Sequence, residues 1–78
     1  MNKLLHYGYK IDYFYDILST KILISKFPFI KIIVTITCYS HSIKNVDVEE
    51  IPEDEYNTIM SCIKEEVNIW QEKLRSRL

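Results

Sequence analysis

Alanine is absent from this 78-residue chain, glycine occurs once, at Gly8, and proline twice, at Pro28 and Pro52. With one glycine there is no glycine-rich turn from which to build an oxyanion site, and no catalytic or cofactor motif stands out. Two cysteines, Cys38 and Cys62, are too few for a disulfide framework, and no secretory signal precedes them, so a reducing cytoplasm is expected. A long apolar run is also missing. The most membrane-like stretch, residues 22–39, is broken by Lys26, Pro28 and Lys31. The uncharged run between Lys31 and Lys44 is too short to span a bilayer, so the chain is expected to be soluble, with no membrane partner. Internal repeats, low-complexity tracts and linkers are lacking too.

What is present describes one small folded domain over residues 1–78. The 47% hydrophobic and 27% charged composition is that of a globular chain, not of a disordered tail. A chain this short buries only about 60% of the surface it exposes when unfolded, so a modest stability is expected. Isoleucine occurs thirteen times; with alanine absent and glycine scarce, this is the composition of an AT-rich coding sequence, as in many phages, viruses and low-GC bacteria. The net charge of −1 conceals an asymmetry. Residues 1–45 carry six lysines against Asp12 and Asp16, whereas residues 46–78 carry nine acidic and four basic side chains. The two halves differ in sign, and so can their partners.

The clearest element is the C-terminal one. Tyr56, Met60, Ile63, Val67, Trp70 and Leu74 recur at steps of four and three, which places them in one stripe of a helix over residues 53–77. Pro52 suits the first turn, Glu53, Asp54 and Glu55 follow it, and Lys73, Arg75 and Arg77 lie at the far end, so the charges offset the helix dipole at both ends. The stripe needs a sheet to cover, expected over residues 4–51. Residues 4–17 alternate, with Tyr7, Tyr9, Ile11, Tyr13, Tyr15 and Ile17 on one face, as in a half-buried strand. A helix competes from Asp12, through Ile11, Phe14, Tyr15, Leu18 and Ile22, but the aromatic run and the lack of strong helix formers favour the strand. Residues 18–25 are less regular: Ser19 and Thr20 suit a turn, Lys21 to Lys26 the start of a second strand, and Pro28 restricts this part to an edge or an irregular join. Ile30, Ile32, Val34, Ile36 and Cys38 mark the central strand; Ser40-His41-Ser42 reads as a connection, and residues 43–51 as a shorter strand joined by a hairpin. The expected fold is α+β: a small antiparallel three-stranded sheet packed against one long C-terminal helix, β-β-β-α.

Candidate chemistry is sparse. Cys38, His41, Cys62 and His6 are ligand types for zinc, but only one pair has ligand spacing, and core thiols with surface histidines account for them. Glu49 with Glu50, and Glu65 with Glu66, are adjacent and so diverge on a strand or spread around a helix. No enzyme, metal or cofactor is expected. The most distinctive charged feature is the acidic corner Asp47, Glu49, Glu50, Glu53, Asp54 and Glu55, a surface suited to a basic patch on a host or partner protein. The seam Tyr56, Met60, Ile63, Val67, Trp70 and Leu74 averages the 3.5-residue spacing of coiled coils, which allows a homodimer interface. The functional expectation is a small non-enzymatic protein-binding module, resembling phage or mobile-element accessory proteins that inhibit or modulate a host protein. A small nucleic-acid-binding regulator using the N-terminal tyrosines and lysines is one alternative. A structural subunit whose helix completes an assembly is the other.

Overall fold

A computed structural model describes residues 1–27, 30–46 and 51–77. Two helices and four strands follow in the order α1 (Asn2–His6), β1 (Lys10–Tyr15), β2 (Ser19–Lys26), β3 (Ile30–Thr37), β4 (His41–Val46) and α2 (Glu53–Arg75). The strands form one antiparallel sheet in the order β1-β2-β3-β4, so each pairs only with its neighbours in the chain. The expected three-stranded β-β-β-α arrangement is therefore corrected in two places: the sheet has four strands, and a short helix precedes it.

The first correction concerns residues 2–8. Alternation continues back to Leu4 in the sequence, but Asn2–His6 is a helical turn and a half whose one core contact is Leu4, 0% exposed, while Leu5 stays outside. Gly8, at φ 89°, turns the chain out of α1 and into β1. An L side chain pays about 1–2 kcal/mol for that left-handed backbone, which accounts for the only glycine standing here. The Tyr9 N–H then donates back to the Leu4 carbonyl at 3.2 Å and fixes the reversal.

The second correction is β2, an interior strand and not an irregular edge. The first turn falls on Ile17 and Leu18, two residues before the expected Ser19-Thr20 turn: the Asp16 N–H donates to the Ser19 carbonyl at 2.9 Å, and the Asp16 carboxylate accepts from the Ile17 N–H at 2.7 Å. Two large apolar residues, 80% and 63% exposed, thus occupy a hairpin tip. The β3–β4 turn is likewise displaced from the expected Ser40-His41-Ser42 to Cys38-Tyr39. The Thr37 N–H donates to the Ser40 carbonyl at 2.8 Å, and the Thr37 and Ser40 hydroxyls are 2.6 Å apart. Strand β4 accordingly begins at His41. Pro28 and Phe29, between β2 and β3, lie outside the described residues.

The register fixes which side chains share a face. Ile11 pairs with Ile24, Ile24 with Ile32, Tyr13 with Ile22, Ile22 with Val34, and Val34 with Ile43. These rows turn toward α2, and Ile22, Ile24, Ile32, Val34 and Ile36 are all buried. Helix α2 supplies Ile59, Cys62, Ile63, Val67 and Leu74 to the same core. Its acidic first turn is intact, and the Tyr56 N–H starts the helical ladder on the Pro52 carbonyl at 2.9 Å. At the other end, Arg75 donates to the Cys38 carbonyl at 2.9 Å and lies 5.7 Å from the Tyr39 ring, which ties the helix terminus to the β3–β4 turn. No described helix is long and apolar enough to cross a membrane.

Candidate binding surfaces

One face of the sheet is covered by α2, and among the described residues no element lies over the other, the bare face. Strand alternation puts Lys10, Asp12 and Phe14 of β1 on the bare side, with Lys21, Leu23 and Ser25 of β2, Lys31, Ile33 and Thr35 of β3, and Ser42 and Lys44 of β4. At its centre Leu23 pairs directly with Ile33, and both are half-buried. Four lysines surround that pair. On strand geometry the Cα atoms of Lys10, Lys21, Lys31 and Lys44 all fall within ~10 Å of that of Leu23. The single acid among the described residues of the face, Asp12, sits 3.9 Å from Lys10, an exposed contact of little strength. Phe14 lies diagonally across from Leu23, 56% exposed. The sequence shows the alternation that sets Lys10 and Asp12 opposite the tyrosines; the gathering of Lys21, Lys31 and Lys44 around Leu23 depends on the register.

The tyrosine face has a different role. Tyr13 turns inward, donates to the Glu66 carboxylate at 2.9 Å, and stacks on Tyr15 with ring centroids 6.1 Å apart. Both rings lean on Trp70 of α2, at 6.1 and 5.2 Å. Tyr9 is 3% exposed and its hydroxyl finds no hydrogen-bond partner among the described residues. Burial first and the nearby Glu55 carboxylate second hold the Tyr9 phenol above its ordinary range; burial and then Glu66 do the same for Tyr13. Tyr15, 62% exposed, stays at the margin of the core, which Tyr9 and Tyr13 close. Because both phenols stay protonated in the fold while the unfolded chain ionises near pH ~10, their contribution to stability is full below that value and is lost as the pH rises above it. Alkaline titration should therefore show part of the tyrosinate absorbance appearing together with the loss of circular dichroism. All six tyrosines ionising before any unfolding would contradict that.

The acidic corner divides. Asp47, Glu49 and Glu50 lie outside the described residues. Glu53 and Asp54 are exposed in the first turn of α2. Glu55 turns inward instead, only 11% of its side chain exposed, and meets the Lys26 ammonium at 3.0 Å. Lys26 also lies 5.1 Å from the Tyr9 ring.

Of the helix seam, Ile63, Val67 and Leu74 are buried within the chain's own core; Met60 and Trp70 are half-buried against it, and Tyr56 is 41% exposed. The buried stripe also takes in Ile59, at 0%, and Cys62, so its centre is rotated from the seam toward those two residues. Beside it a groove of ≈ 540 Å³ runs between α2 and the edge strand β4, where Tyr39, His41 and Ile43 face Met60, Val67 and Gln71. A second groove separates α1 from α2, and a third lies at Pro52 and Tyr56. The cysteines and histidines do not converge: Cys38 is in the β3–β4 turn, Cys62 is buried on α2, and His6 and His41 are exposed. Among the described residues no three histidine, cysteine or acidic side chains are grouped to hold a metal ion. No family model, curated protein or solved structure matches the chain.

Proposed function

We propose that this chain is a non-enzymatic binding module whose working surface is the bare face of the sheet. The observation that carries this reading is the Leu23–Ile33 pair, an apolar centre left open between four lysines on a face whose only acid among the described residues is Asp12. Such a face attracts a negatively charged partner through its lysines and holds it by covering Leu23, Ile33 and Phe14. It supports this role better than the acidic corner does, because Glu55 is already committed to Lys26 inside the fold.

Binding to a polyanion by a chain of net charge −1 requires a local basic patch. Heparin at low salt is a suitable probe, read by amide chemical-shift mapping. Shifts are expected to concentrate at Lys10, Lys21, Leu23, Lys31, Ile33 and Lys44, and to leave Glu53 and Asp54 unmoved. Scattered shifts, or none, would overturn the assignment of this face.

A further inference from the structure

We propose that the bare face binds single-stranded nucleic acid, with its phosphates on the lysines and a base stacked on Phe14. This rests on the binding-module reading above and names the partner class. Charge decides the sign of the partner: among the described residues of the face, Lys10, Lys21, Lys31 and Lys44 outnumber the one acid, Asp12, so the occupant is an anion.

The chemistry of the face then separates a nucleic acid from an acidic protein. Every cation among its described residues is a lysine, and between the lysines stand the hydroxyls of Ser25, Thr35 and Ser42. Ammonium and hydroxyl groups are what phosphate and sugar oxygens accept from. Protein interfaces, by contrast, are depleted in lysine at their centres and enriched in arginine, tyrosine and tryptophan. The relief of the face points the same way. None of the three grooves described above is lined by its residues, so those grooves give a protein anchor side chain no seat on this face. A stacked base needs only a ring to lie on, and Phe14 offers one, 56% exposed at the margin of the Leu23–Ile33 pair. That requirement selects a single strand, because the bases of a duplex are stacked on one another.

The test is fluorescence anisotropy with labelled oligothymidylate, with the matching duplex and poly-glutamate as competitors. The wild-type chain should bind the single strand in preference to the duplex. Its log affinity should fall with log salt at a slope of about −2 to −3, as expected for three or four neutralised phosphates. Lys21→Gln together with Lys31→Gln should flatten that slope. Phe14→Leu, which keeps an apolar residue in the exposed strand and removes the ring, should weaken binding by about 5- to 150-fold, the worth of one stacked base. Circular dichroism of each variant guards against loss of fold. Lysine-dependent binding that ignores Phe14→Leu, or that prefers the duplex, overturns the nucleic-acid assignment and leaves the anion-binding face standing. Lysine-dependent binding of poly-glutamate alone does the same and identifies an acidic protein as the partner. No binding of either polymer overturns both.

Discussion

Leu4→Ala is expected to destabilise the fold by about 2–5 kcal/mol, while Leu5→Ala changes it by less than about 0.5 kcal/mol. Leu4 is fully enclosed and Leu5 is 56% exposed, although the two are neighbours of identical composition. A chain of this length has on the order of 4–12 kcal/mol of total stability, so the first change removes a large share of it. The pair also discriminates between helix and strand at the N-terminus. Were residues 4–17 one strand with the odd-numbered tyrosines inward, Leu4 would lie on the outer face and its truncation would be nearly silent. Urea denaturation of the two variants measures the contrast directly, and equal midpoints would contradict the placement of α1 against α2 and the core.

Lys26→Met should cost about 2–3 kcal/mol near neutral pH. The change leaves the Glu55 carboxylate, 11% exposed, without its counter-charge. Removing one member of a fully buried pair costs ~3–5 kcal/mol, and Lys26 is about a third exposed, so water relieves part of the loss. The remedy should be as specific as the damage. Lys26→Met combined with Glu55→Leu removes both charges and should recover most of the loss, since apolar replacement of a whole buried pair is often neutral. Urea denaturation curves for the single and double variants near neutral pH provide the check. A double variant as unstable as the sum of the two single ones would show that the pair matters through packing and not through charge.

The elements that could be read from the sequence are those with enough repeats of their own period. Helix α2 runs six turns, and its charged ends and apolar stripe agree; β3 carries four inward residues in strict alternation. Three features escaped because local chemistry there misleads. Helix α1 is too short to display a helical period, and the alternating tyrosines after it run visually into Leu4. The β1–β2 turn uses Ile17 and Leu18 where asparagine, aspartate or glycine is the ordinary choice, so Ser19 and Thr20 suggest a turn two residues late. With the turn placed there, β2 reads as an irregular join, although it pairs with β3 over Ser19–Lys26 and with β1 over residues 20–25. The candidate surface was half visible. Alternation separates the lysines of β1 and β3 from the apolar residues, but only the cross-strand register brings Lys21 and Lys44 to the same apolar pair. The inward turn of Glu55 is a tertiary fact of the same kind, set by where Lys26 ends β2.

The nearest-neighbour order of the sheet also has a meaning in time. As the chain leaves the ribosome, all four strands can pair before α2 exists, because no strand waits for a later segment. The wait between Val46 and Leu74 lasts roughly 1 to 6 seconds at ~5–20 residues per second. For that interval Ile22, Ile24, Ile32, Val34 and Ile36 form an uncovered β-branched sheet with no charge among them, the kind of surface that nucleates aggregation. Lys21 and Lys31, alternating with these residues on the same strands, then act as gatekeepers for a nascent chain that has not yet acquired its cover.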